Sequence, residues 1–200
     1  MNIGGAKRIA DLAKELKNLE VLAHVSTAYV ISDTNELLLE KVYEPEYDPQ
    51  KLLNLMENCD KELVDYLTPK IVKKKPNTYI FTKKLAEALI EKECKNMPAC
   101  IFRPAIIGSS WREPFPGWID TFFGPTFAFC TGGTGLFRVM HGNNECICDM
   151  NPVDSCVNGL ISLAWYVGSR NIKTLPVMNY TSGWMKKCNN EFYWGNLAGK

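Results

Sequence analysis

The sequence predicts an α/β protein in which helices cover a parallel sheet. Stretches of helical periodicity alternate with short apolar runs of strand length. Those runs are almost continuously apolar, as strands covered on both faces are. Alternation of this kind builds a parallel sheet, because parallel strands need a crossover between them. The 200 residues are 46% hydrophobic and 22% charged, the mix of one ordinary globular domain. Lys plus Arg is 23 and Asp plus Glu is 22, so the net charge is +1. That balance gives neither the basic face of a nucleic-acid binder nor the acidic bias of a disordered tail.

Residues 3–18 read as a helix, with Ile9, Leu12, Ala13 and Leu16 as its core stripe. Residues 19–25 read as a buried parallel strand, ended by Ser26-Thr27. A polar connection covers residues 32–50. Residues 51–67 are expected as a second helix, with Leu52, Leu53, Met56, Leu63 and Leu67 apolar. Lys73-Lys74-Lys75-Pro76-Asn77 is a loop whose lysines form a solvated face. Residues 78–94 are a third helix, and residues 98–103 a second buried strand closed by Pro104. Residues 109–125, rich in Pro, Gly and Trp, are a long loop. Residues 126–130 allow a strand. Pro152 opens a fourth helix, with Val157, Leu160, Ile161 and Ala164 on one face. Residues 176–181 are a third strand. No internal repeat or linker divides residues 1–200, so one domain is expected.

The apolar stretch Leu160 to Val167 of the C-terminal half is far below the ~20 residues of a membrane span, and the N-terminus shows no apolar signal run. The eight cysteines, at 59, 94, 100, 130, 146, 148, 156 and 188, form no Cys-x-x-Cys pair and fall mostly in apolar segments. Buried reduced thiols and a reducing compartment are expected. Cys146-x-Cys148 near His141 is a poor zinc set, so no metal is expected.

The strongest chemical signal is Tyr79-Ile80-Phe81-Thr82-Lys83. At i and i+4, a phenol and an ammonium share one helix face. A cation about 4 Å away is worth up to roughly 4 kcal/mol at an effective dielectric of 20. It would lower the phenol pKa by up to roughly three pH units and poise Tyr79 as a general acid or base. The second signal is Ser26-Thr27 at a strand end, where ligands of open parallel sheets bind. Such hydroxyls either hold a substrate carbonyl or cap backbone groups. Trp111, Phe115, Trp118, Phe122 and Phe123 either line an apolar channel or anchor their loop. Asp149 and Asp154 read as helix-start carboxylates. Thr131-Gly132-Gly133-Thr134-Gly135 looks like the start of a nucleotide loop, but Arg138 stands at the third glycine position.

A strand-end hydroxyl pair, then Tyr79-x-x-x-Lys83, then Arg103-Pro104-Ala105-Ile106-Ile107-Gly108 resembles the extended short-chain dehydrogenase/reductases. Asn2 stands where that superfamily carries its structural Asn. Four blocks narrow the resemblance. They are His24-Val25-Ser26-Thr27-Ala28-Tyr29, Glu40-Lys41-Val42-Tyr43-Glu44-Pro45, residues 76–83 and residues 113–120. Together they look like alcohol-forming fatty acyl-CoA reductases across nearly the whole chain.

The resemblance implies a partial Rossmann-like parallel sheet flanked by helices, with the N-terminal half of the sheet missing, and a single truncated NAD(P)-binding reductase domain over residues 1–200. It implies NADPH-dependent reduction of long-chain acyl-CoA to a primary alcohol and no nucleic-acid partner. Tyr79 would be the proton donor. Lys83 would hold the ribose and support Tyr79, and Thr27, or else Ser26, would orient the carbonyl. Asn2, Lys83, Pro104 and Ile107 would lie along the cofactor. The family's nucleotide loop precedes these blocks, and its C-terminal region often ends in a membrane segment. A truncated chain, inactive alone, is therefore expected. Its full-length parent would sit on the cytosolic face of a peroxisomal or endoplasmic-reticulum membrane. The alternatives are a non-catalytic fragment serving as a binding module, or an aldehyde-forming thioester reductase of the same superfamily.

Overall fold

A computed structural model describes residues 1–31, 37–73, 75–137, 139 and 148–182. Lys74, Arg138, His141, Cys146 and Cys188 lie outside the described residues. The chain divides into two compact units. The first holds Met1–Arg103 with Leu160–Asn179, and the second holds Pro104–Gly159 with Tyr180–Lys200.

In the first unit, helix α1 (Asn2–Glu15) leads to strand β1 (Leu22–Val25), and helices α2 (Pro49–Asn58), α3 (Lys61–Val72) and α4 (Thr78–Glu93) follow. Strand β2 (Ala99–Pro104) is the centre of a three-stranded sheet of order β1-β2-β5, with β5 at Val177–Tyr180. β1 and β2 are parallel, with Leu22 opposite Ala99 and Val25 opposite Phe102. Central β2 is buried along its whole length. β1 is a sheet edge, which leaves it half-exposed where full burial was expected.

α1 packs on α4, and the face it buries differs from the expected one. Ile3, Ala6, Ala10 and Ala13 are buried, whereas Ile9, Leu12 and Leu16 are each about half exposed. The small alanines let α1 approach Phe81, Leu85, Ala86, Leu89 and Ile90 of α4, and these close over Ala99, Ile101 and Val177 of the sheet. The expected helix over residues 51–67 is two helices. Asp60 accepts from Leu63 N (2.8 Å) and starts α3 afresh after α2 ends at Asn58. The lysine loop is not uniformly solvated either, since Lys75 pairs with Glu46 at 3.1 Å.

In the second unit, β3 (Ile106–Gly108) pairs in parallel with β4 (Met150–Pro152). These three-residue strands are too short to show a period. Residues 126–130 are not a strand but the body of helix α5 (Pro125–Gly133), which starts after Gly124 at φ +58° with Pro125 in its first turn. Thr131-Gly132-Gly133 therefore ends a helix instead of leading into one, and the strand–turn–helix a nucleotide loop needs is not there. Asp149 precedes β4, against the helix-start reading, and accepts from Ser182 N at 2.8 Å. Helix α6 (Val153–Ser169) begins in this unit and ends in the first. It buries Cys156, Leu163 and Val167, while Val157 and Ile161 of its expected core face are exposed.

Candidate active site

The first unit gathers Thr27, Tyr79 and Lys83 at the carboxyl end of β1. Ser26 N continues the ladder by donating to Phe102 O at 2.7 Å, which fixes where the strand stops. Asn77 caps α4 by accepting from Ile80 N at 2.9 Å, and this sets the first turn, which carries Tyr79. Thr27, only 5% exposed, lies beside the Tyr79 phenol, near enough to draw its pKa down. Its hydroxyl also accepts from Tyr29 N at 3.3 Å, the backbone-capping contact expected of a strand-end hydroxyl. Ser26 is 3% exposed, and its Oγ is sealed from solvent without a hydrogen-bond partner among the described residues. Of the two hydroxyls, Thr27 is the one that bears on the phenol.

Lys83 donates from Nζ to Val25 O at 2.9 Å, and its ammonium lies 5.8 Å from the centre of the Tyr79 ring. Here the electrostatic expectation is corrected. Burial pushes the Tyr79 pKa up from its ordinary value, and only the Thr27 hydroxyl works against this. The ammonium is turned to a backbone carbonyl, so it does not pull the phenol down. Lys83 itself is pushed down by burial and back up by the charge of Glu87. His24, next to these on β1, is held at about 4 by burial and by the Lys83 charge. The neighbouring Lys84 faces elsewhere and pairs with Glu46 at 3.2 Å.

Asn2 opens α1 and donates from Nδ2 to Thr82 Oγ1 at 3.0 Å, which ties α1 to the Tyr79 helix. Pro104 and Ile107 belong to the second unit. There Asp154 accepts from Trp111 N and Arg112 N (2.9 Å each) and Glu113 N (3.2 Å). Those bonds, led by Trp111, hold its carboxyl at about 2. Trp111, Phe115, Phe122 and Phe123 are exposed. Cys59, Cys94, Cys100, Cys130 and Cys156 are free thiols, and burial lifts Cys100 and Cys156 to about 11. Among the described residues no His, Cys, Asp or Glu cluster could hold a metal ion, and no helix is long and apolar enough to cross a membrane.

Sequence reasoning missed the pair behind the site. Glu87, one turn beyond Lys83, takes Arg103 on both oxygens, and both residues are fully buried. The repeated spacing of four in Tyr79, Lys83 and Glu87 was its only signal.

The parallel sheet with helices packed on it recurs in two solved structures. One is described as an epimerase from Burkholderia cenocepacia J2315, with TM-score 0.61 and 13% identity over 98% of this chain and 52% of that one. The other is the terminal R domain from the myxalamid PKS-NRPS biosynthetic pathway, with TM-score 0.58 and 17% identity over 90% of this chain and 37% of that one. Residues 1–160 match the NAD-binding family described as male sterility protein, and the chain belongs to that family.

Fatty acyl-CoA reductase 1 of Rattus norvegicus is 42% identical over 99% of this chain and 38% of its own length. The Homo sapiens protein of the same name is 41% identical over 98% of this chain and 37% of its length. The chain thus spans under two-fifths of these relatives.

Proposed function

We propose that this chain is the catalytic part of an NADPH-dependent reductase that converts long-chain fatty acyl-CoA to a primary alcohol. The observation that carries the reading is the meeting of Thr27, Tyr79 and Lys83 at one strand end, from positions far apart in sequence. The donor set suits a dinucleotide. Of the three ammonium donors of Lys83, Val25 O takes one among the described residues, and those left suit the paired hydroxyls of a ribose. When bound, the dinucleotide would supply hydride to the acyl carbon twice per acyl group, the C–S bond breaking and free CoA leaving as the thiol after the first transfer to give the aldehyde that the second reduces. Tyr79 is half exposed and its raised pKa keeps it protonated at neutral pH, the form that donates. It gives its proton to the carbonyl oxygen as that oxygen becomes a hydroxyl. Thr27 orients the oxygen through the phenol it lies beside. The Thr27 hydroxyl supports the phenolate as it forms, while Lys83, held by Val25 O, serves the ribose. Asn2, through Thr82, keeps α1 in register with this helix. Pro104 and Ile107 are assigned to the nicotinamide side by resemblance alone. A reducing setting on the cytosolic face of a peroxisomal or endoplasmic-reticulum membrane is proposed for a protein of the relatives' length.

The test uses such a protein carrying this chain, a long-chain acyl-CoA and either NADPH or NADH, with products analysed by chromatography. Tyr79→Phe keeps the shape and removes the proton, so turnover falls roughly 10²–10⁴-fold with KM little changed. Full activity in that variant removes Tyr79 from the mechanism. Equal rates with NADH remove the NADPH assignment, and accumulation of aldehyde without alcohol selects the thioester-reductase alternative.

A further inference from the structure

Glu87 is 1% exposed and Arg103 is 0% exposed, yet both carry charge. The guanidinium grips the carboxylate with both edges, Nε to Oε1 at 2.8 Å and Nη2 to Oε2 at 2.6 Å. Its other donors reach Leu39 O (3.1 Å), Lys41 O (2.8 Å) and Asn179 Oδ1 (3.4 Å). Stability alone does not require this. Buried pairs are often replaced by apolar residues at no cost, whereas removing one partner strands a charge. What the pair achieves is a carboxylate that cannot move. Tyr79, Lys83 and Glu87 follow one another at intervals of four along α4, so each lies a turn from the next. A free Glu four residues from a Lys would fold over to pair with it directly. Arg103 occupies both oxygens, and the Lys83 ammonium goes the other way, to Val25 O.

We propose that Glu87, immobilised by Arg103, is a positioning residue for Lys83, a fixed carboxylate one turn away that leaves the ammonium aimed at the carboxyl end of β1. The charge of Glu87 opposes the loss of protonation that burial imposes on Lys83. The other groups bearing on Lys83 are His24 and the Val25 carbonyl from β1 and Tyr79 from α4. His24 is neutral above about 4 and Tyr79 is neutral below its raised pKa, so among these groups the negative charge is that of Glu87, partly offset by the Arg103 guanidinium bonded to it. The mechanistic value of the device rests on the proposed role of Lys83, but its test does not.

The Lys83 titration is followed by NMR of the side-chain Cε and Nζ in this 200-residue chain, the signal being assigned by its loss in Lys83→Met. Glu87→Gln should lower the Lys83 midpoint by about one pH unit, the Coulomb effect of a partly screened charge one turn away. Glu87→Asp should restore most of it. Arg103→Lys keeps the charge but loses the fork, so Glu87 is released toward Lys83 and the midpoint rises. An unchanged midpoint in Glu87→Gln, or Glu87→Asp behaving like Glu87→Gln, overturns the proposal. If Glu87→Gln does not fold, the charge-neutral Glu87→Leu with Arg103→Met is measured instead. A lowered Lys83 midpoint there supports the proposal, and a wild-type midpoint overturns it. Failure of the Tyr79→Phe assay would leave these titrations untouched, so the two readings fail separately.

Discussion

His24 shows most directly what burial does to one residue here. Its Nε2 is shut off from solvent without a hydrogen-bond partner among the described residues, and its pKa is about 4 against an ordinary 6.5. Between those values the unfolded chain binds a proton that the folded chain refuses. Stability therefore rises with pH across this window and is lost as pH falls through it, by up to about 3 kcal/mol at full effect. Urea midpoints from pH 7 down to 4.5 should fall for the wild type and stay flatter for His24→Leu. Parallel curves would show that His24 titrates alike in both states. The reactive residues were legible because their chemistry is local: a spacing of four on a helix, and two hydroxyls where an apolar run stops. The direction of the Tyr79 shift was not legible. It depends on where the Lys83 ammonium points, and that is decided by the Val25 carbonyl across the helix–strand contact.

At the scale of elements, periodicity located helices well and chose their faces poorly. α1 carries Ile9, Leu12 and Leu16 on one side and Ile3, Ala6, Ala10 and Ala13 on another, and only the contact with α4 selects the second. α6 has the same ambiguity, with Cys156, Leu163 and Val167 buried and Ile161 and Trp165 out. The break between α2 and α3 was legible only to a reader who weighed the Asp60 cap above the continuing apolar pattern. That cap can be measured. Asp60→Ala should cost about 1 kcal/mol, seen as a lower urea midpoint and faster amide exchange in the first turn of α3. Unchanged exchange there would mean that packing, not Asp60, starts the helix.

Across the first unit, the exposed stripe of α1 runs beside a sheet edge. Gly5, Ala6, Ile9, Leu22, Ala23, His24, Val25 and Ile90 line a groove of about 230 Å³, and among the described residues β1 pairs with β2 on one side only. A short apolar edge strand beside apolar side chains favours association between copies. Light scattering on the 200-residue chain should show concentration-dependent growth, which Ile9→Lys with Leu12→Lys suppresses; a wild-type monomer at high concentration would contradict this. The fastening of residues 38–41 has a different consequence, in time. Asn179 donates to Leu38 O from its side chain (2.8 Å) and to Glu40 Oε1 from its backbone (2.9 Å), across separations of 141 and 139 residues. Closing loops that long costs roughly 4 kcal/mol of chain entropy before any contact repays it. Such distant pairings slow folding. The segment that completes the Arg103 clamp is therefore among the last to be secured, after the local helices and the β1–β2 pairing have formed.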